Sequence, residues 1–195
     1  MGRLIYFIRH GETQWNRLRL FQGQTDIPLN DAGRQQAEKL AQALEGLLPF
    51  DRVVSSDLSR ATETADILNK GYGTSVLIDP GFREVDFGEW EGLHGNEIMA
   101  RWPGSLEEWL DTGILQTPGG ETQEQLLARA AKSFRHWADK DDYEKMAIVS
   151  HGGVIGTLLC SIMGISPTQM RHHIPVNTGY KVISVSGPGQ YALAE

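Results

Sequence analysis

Residues 4–13 read Leu4-Ile5-Tyr6-Phe7-Ile8-Arg9-His10-Gly11-Glu12-Thr13. The apolar run, rich in β-branched and aromatic residues, predicts a strand, and an Arg-His-Gly turn follows at once. The pattern recurs twice. Met146–Val149 runs into Ser150-His151-Gly152-Gly153, and Val53-Val54 runs into Ser55-Ser56 with Arg60 just beyond. Amphipathic stretches lie between these strands. Asn30 is placed to cap a helix whose apolar positions are Ala37, Leu40, Ala41, Leu44, Leu47 and Leu48, with Gly46 and Pro49 near its end. Asp57 is placed to cap another, with Leu58, Ala61, Ala65 and Leu68 on one face. Ser75–Ile78 predicts a third strand, ended by Asp79-Pro80-Gly81.

Thr122 and Gln125 form a capping box ahead of Leu126, Leu127, Ala130, Ala131, Phe134 and Trp137 at core spacing. Val154–Met163 predicts a further helix. From His172 onward the tail alternates around Tyr180–Val185 and Tyr191–Leu193, which predicts antiparallel edge strands. Strand–helix alternation gives an α/β fold: a three-layer sandwich with a mostly parallel sheet and antiparallel edge strands. One domain is expected over residues 1–195. An insertion of short helices at about 89–120, carrying Trp90, Trp102 and Trp109, is expected over the active site.

The composition narrows the function. The chain has 195 residues, 40% of them hydrophobic and 22% charged, which suits one globular domain with its own core. A net charge of −7 argues against sequence-independent nucleic-acid binding, so any anion site must be a local cluster of Arg and His. The single cysteine, Cys160, has no internal partner, and its place in the run Ile155–Ile162 marks it as a buried, inert thiol. Leu4–Ile8 is too short for a signal peptide or a membrane span, and Tyr6 stands where myristoylation wants Ser or Thr. The expectation is a cytoplasmic protein with no membrane anchor.

In α/β folds, ligands bind beyond the carboxyl ends of the strands. Arg9, His10, Arg60 and His151 all leave strands at that edge, and Glu84 follows the third strand by six residues. Guanidinium groups match phosphate oxygens. A neutral imidazole beside them can attack phosphorus, and Arg⁺ neighbours lower its pKa. A glycine after each His would let backbone N–H groups face the phosphate. A carboxyl group can protonate the leaving oxygen. These parts suffice for phosphoryl transfer without a metal or other cofactor.

Arg9-His10-Gly11-Glu12-Thr13 with Trp15-Asn16 resembles the signature of the histidine phosphatase superfamily, the phosphoglycerate-mutase-like proteins. The likeness continues in order through Phe21–Leu29, Ser55–Ala61, Arg83-Glu84, Asp86–Gly92 and Ser150–Gly153. It implies a phosphoglycerate-mutase-like fold and His10 as the phosphorylated nucleophile. It implies that Arg9, Arg60 and His151 clamp the phosphoryl group. Glu84 would be the general acid and then the base that activates water. Asn16, Gln22, Gly23 and Gly152 would contact the phosphate or the substrate beside it. The block Asp86–Leu93 is most similar to α-ribazole phosphatases and broad-specificity small phosphatases. Gly156 stands where many relatives have Arg.

Other readings remain open. Glu12, Glu89, Glu91 and Glu121 are rivals to Glu84, and Asn16 and Gln22 suit turn caps as well as ligand contacts. His136 reads as solvent-facing. His172-His173, read on a strand, would point to opposite faces and so make no metal site. The implied activity is phosphomonoester hydrolysis of a small phosphorylated metabolite, such as α-ribazole 5′-phosphate. The alternatives are a 2,3-bisphosphoglycerate-dependent mutase and a non-catalytic phospholigand- or protein-binding module. The classical mutases carry an Arg-Arg pair in a longer insertion, and this chain has no Arg-Arg or Lys-Arg dipeptide.

Overall fold

The computed structural model describes residues 2–194. Six strands form one sheet in the order β3-β2-β4-β1-β5-β6. They are β1 (Arg3–Arg9), β2 (Arg52–Ser55), β3 (Val76–Ile78), β4 (Lys145–Ser150), β5 (Tyr180–Gly187) and β6 (Gln190–Leu193). β3, β2, β4 and β1 run parallel, while β5 is antiparallel to β1 and β6 to β5. The longer helices are α2 (Asp31–Ala43), α3 (Ser59–Leu68), α6 (Gln123–Ala138) and α7 (Gly152–Met163). Shorter ones are α1 (Gln14–Leu18), α4 (Gly95–Arg101), α5 (Ser105–Thr112) and α8 (Met170–His173).

The period-2 alternation of the strands divides the core in two. Tyr6, Ile8, Val53 and Val149 meet Leu40, Leu44, Ala61 and Ala65 of the α2–α3 side. Ile5, Phe7, Met146 and Ile148 face the other way, onto Ala130 and Phe134 of α6 and Leu158 of α7. Helices therefore cover both faces of the sheet, the three layers expected from the chain's alternation. No described helix is long and apolar enough to cross a membrane.

Local capping signals read from the sequence have their counterparts. The Asn30 side chain accepts from Gly33 N–H, and Thr122 with Gln125 closes a reciprocal capping box on α6. Four expectations change. β5 lies inside the sheet, between β1 and β6, so that of the two tail strands only β6 is at the edge. α2 ends at Ala43, and Leu44 and Leu47 lie in the turn that follows. Asp57 does not cap α3. Asp26, from a distant loop, takes the Ser59 N–H at 2.8 Å, while Asp57 makes a paired contact with Arg83 at 2.8 and 2.5 Å. His172 and His173 sit on α8 rather than on a strand.

Candidate active site

The register of the parallel strands sets the site. Arg9 lies opposite Ser150, and Ser55 opposite Val149, so the carboxyl ends of β1, β4 and β2 stop level. Two further bonds extend that alignment past the strands: His10 N–H donates to Ser150 O and Ser56 N–H to Val149 O, each at 3.0 Å. His10 and His151 thus emerge side by side, their ring centroids 5.1 Å apart, with exposures of 2% and 0%. Arg60 joins them from the first turn of α3 and is also fully buried.

Hydrogen bonding assigns the tautomers. His10 Nδ1 lies 2.6 Å from Gly11 O, which can only accept, so Nδ1 carries the proton and Nε2 keeps its lone pair. His151 Nδ1 accepts from Arg60 Nε at 3.3 Å, which puts the proton of His151 on Nε2, 2.9 Å from Ser56 Oγ. Both pKa values lie well below 6.5, chiefly through burial and next through Arg60. The two rings are neutral at physiological pH.

The arginines are oriented by carbonyls rather than by acids. Arg60 Nη1 donates to Thr25 O at 2.9 Å and Nη2 to Gly23 O at 2.7 Å. Arg9 Nη1 donates to Pro175 O at 3.0 Å, and its buried Nε has no partner. Among the described residues neither makes an ion pair within 4 Å. Desolvation lowers the pKa of both, yet a guanidinium stays charged at any ordinary pH. Arg60 is buried and Arg9 half-buried, and the one carboxylate that favours the charge of both is Glu84, so two cations that share one nearby carboxylate and make no ion pair form a site for an anion.

Glu84 supplies the one carboxyl group lining the cavity among the described residues. Its oxygens accept from Gly153 N–H at 3.1 and 3.3 Å, at the start of α7, and Oε1 also accepts from Val85 N–H at 3.0 Å. A Cβ on Gly153 would stand 2.7 Å from Glu84 Oε1, so the second glycine of His-Gly-Gly makes room for this carboxylate. The rivals are engaged elsewhere. Glu91 accepts from the N–H groups of Gln24, Thr25 and Phe87. Glu12 accepts from Asn30, Glu121 pairs with Arg129, and Glu89 is exposed.

The cavity measures about 260 Å³. Arg9, His10, Arg60 and Glu84 line its polar part; Leu20, Phe21 and Phe87 form an apolar wall, and Arg19 adds a further cation. Asn16, Gln22 and Gly23 also line it. Gln22 Oε1 accepts from Thr13 Oγ1 at 2.7 Å and Asn16 Oδ1 from Thr13 N–H at 3.1 Å, so these contacts use the amide oxygens and not the amide nitrogens. Gly23 has φ +55°, and a Cβ there would strike the Glu91 carboxylate. Gly152 does not line the cavity; a Cβ there would crowd Ile174 Cγ2 at 3.1 Å and meet Arg9 Cζ at an ordinary contact distance of 3.5 Å. Trp90 and Trp109 do not line the cavity; they back Phe21, with Phe87 also against Trp109.

Gly11 has a different task from the one its place suggested. Its N–H donates to Thr64 Oγ1 at 3.1 Å, and its missing Cβ admits Gly33 O. Thr64 was legible in principle, one helical turn after Arg60. Asn177 was not. Its Nδ2 donates to His10 O at 3.0 Å from a loop 167 residues away, with no local pattern to mark it.

The sequence profile of the Histidine phosphatase superfamily (branch 1) matches residues 5–194. A protein of Cronobacter sakazakii named probable phosphoglycerate mutase GpmB is 34% identical over 162 residues, 83% of this chain and 75% of that protein. A glucosyl-3-phosphoglycerate phosphatase of Mycolicibacterium vanbaalenii is 33% identical over 84% of this chain and 75% of its own length. The crystal structure of a putative α-ribazole-5′-P phosphatase from Escherichia coli superposes with a TM-score of 0.88 at 28% identity. The match covers 100% of this chain and 95% of that one.

Proposed function

The chain belongs to branch 1 of the histidine phosphatase superfamily, and from that premise we propose that it is a phosphomonoester hydrolase working through a phosphohistidine at His10. One observation carries the reading: a neutral imidazole with an available Nε2 lines a cavity beside the guanidinium groups of buried Arg60 and half-buried Arg9, neither of which makes an ion pair among the described residues. Phosphatase names among the relatives support it.

In the first step, His10 Nε2 forms a bond to phosphorus as the ester P–O bond breaks, and the leaving oxygen takes the proton of Glu84. Arg9 and Arg60 hold the phosphoryl oxygens, and their charge is greatest in effect where the transition state is most negative. His151 holds Arg60 by its Nε and so fixes the fork. Asn16 and Gln22 offer amide N–H groups to the phosphate. In the second step, water attacks phosphorus, Glu84 takes a proton from it, and the P–N bond breaks to restore neutral His10. The two arginines provide the charge that a metal ion provides in other phosphatases.

The apolar wall of Leu20, Phe21 and Phe87 favours a small phosphorylated metabolite with an apolar portion. α-Ribazole 5′-phosphate, named for the Escherichia coli neighbour, is such a compound. Arg19 supports a second reading, the mutase, because 3-phosphoglycerate carries a carboxylate beside its phosphate. A mutase must also hold a bisphosphate donor, and Arg19 is the one cation added to Arg9 and Arg60 along the lining. Hydrolysis is therefore the better fit.

The test is phosphate release from a panel containing α-ribazole 5′-phosphate, 4-nitrophenyl phosphate, and 3-phosphoglycerate with and without 2,3-bisphosphoglycerate. Release should exceed isomerisation, persist in EDTA and pass through an acid-labile, base-stable phosphoenzyme. His10→Ala should abolish turnover and the phosphoenzyme while the chain still folds. Near-normal activity of that variant would refute the mechanism, faster isomerisation would put the mutase first, and binding without product would favour a non-catalytic module.

A further inference from the structure

Resting on the reading of Glu84 as the acid, we propose that Arg129 and Glu121 are positioning residues for it, holding its backbone from outside the cavity. Glu84 lies in an irregular segment between the single helical turns Pro80–Phe82 and Gly88–Trp90. No strand or helix ladder fixes such a segment, so its carbonyls and N–H groups need other partners. Arg129, in the second turn of α6, supplies donors to three of the carbonyls, Glu84 O also accepting from Gln24 Nε2 at 3.3 Å. Its Nη1 donates to Gly81 O at 3.0 Å and Arg83 O at 2.7 Å, and its Nη2 to Glu84 O at 2.8 Å.

The other edge of the same guanidinium grips Glu121, Nε to Oε2 at 2.9 Å and Nη2 to Oε1 at 2.5 Å. Glu121 Oε1 in turn accepts from Asp86 N–H at 2.9 Å. The pair therefore ties the chain on both sides of Glu84, at Arg83 and at Asp86, and at Glu84 itself. The carboxylate end is tied separately, to Gly153 N–H at the start of α7. Between these anchors the side chain has little freedom to swing. The planar fork is what allows one residue to hold three carbonyls and a carboxylate together.

Neither residue lines the cavity, and their side chains are 24% and 12% exposed, so this is no loose surface pair. Proton transfer requires the carboxyl group within hydrogen-bond reach of the leaving oxygen, and a displacement of about 1 Å can cost about a hundredfold. Loss of the buttress should therefore act on proton donation specifically.

The experiment measures single-turnover phosphorylation with an alkyl phosphate and with 4-nitrophenyl phosphate, whose leaving group needs little protonation. Arg129→Met should slow the alkyl substrate by about 10- to 100-fold and the aryl one by less than about threefold. In a Glu84→Gln background, Arg129→Met should cause no further loss. Glu121→Gln keeps the carbonyl contacts of Arg129 and should give a smaller contrast in the same direction, which preserves the test if Arg129→Met fails to fold. Equal losses on both substrates, or a further loss in the Glu84→Gln background, would overturn the positioning role alone. A Glu84→Gln variant without the alkyl–aryl contrast would overturn the acid assignment, and the positioning role with it.

Discussion

At the scale of single residues, burial and the neighbouring Arg60 and Arg9 act on His10 in the same direction, and on His151, together with Arg129, likewise. The neutral ring gains a usable lone pair at physiological pH, and stability becomes sensitive to acid. Well above pH 6.5, the ordinary value, neither ring binds a proton in the folded or the unfolded chain. As pH falls below it, the unfolded chain takes up protons that the folded one refuses, so stability declines towards the depressed folded values. The pH dependence of stability from this pair should approach two protons. Melting curves between about pH 8 and 5 in phosphate-free buffer would measure it. His10→Gln should remove one of the two. Asp51, held low by the Lys145 amide, and Asp57, held low by Arg83, act only below their ordinary 3.8 and leave this window clear. A melting temperature that rises on acidification would contradict buried neutral rings. The identity of these groups was legible because each follows an apolar run directly. Their tautomers were not, since they depend on Gly11 O, Arg60 and Ser56.

At the scale of elements, the β1 loop and the first turn of α2 pass closer than side chains would allow. A Cβ on Gly33 would lie 2.1 Å from Glu12 O, and one on Gly11 would lie 2.5 Å from Gly33 O. Gly33 lies within α2, where alanine is intrinsically better by about 1 kcal/mol. The clash is with backbone, which cannot rotate away, and overpacking costs about 1–3 kcal/mol. The second effect should win. Gly33→Ala is expected to destabilise the protein by up to about 2 kcal/mol in urea unfolding and to lower kcat, because Glu12 is two residues from His10. A stabilised variant would mean that the loop and helix separate at no cost. Caps whose donor and acceptor lie within one turn, at Asn30 and Thr122, were legible for that reason. Asp57 was misread because its competitor, Asp26, arrives from 33 residues before Ser59. The same limit hid the place of β5 beside β1, a pairing made between the two ends of the chain.

At the scale of the whole molecule, an acidic chain holds a small, buried, positive centre, and the fold bears its cost. Arg9 is half-buried, its Nε has no partner, and it stands near Arg60, so that one carboxylate, Glu84, has to offset the charge of both. Such a pair destabilises the empty protein and is relieved by an anion. An oxyanion such as vanadate or tungstate should therefore bind the folded chain alone. At a hundred times its Kd it should add about 2.7 kcal/mol, which for a chain of this length raises Tm by about 5–10 °C. Arg9 separates the two sides of this argument better than Arg60. It makes one hydrogen bond to a carbonyl, whereas Arg60 makes two and also fixes His151. Arg9→Met should melt no lower than the parent chain in the absence of oxyanion, because it removes a desolvated charge and its repulsion. It should also lose most of the oxyanion-dependent rise. Scanning calorimetry of both chains with and without tungstate would decide. An Arg9→Met chain that melts well below its parent without tungstate would mean that Arg9 is held chiefly for its contact with Pro175, and the unpaired charge would no longer account for the site.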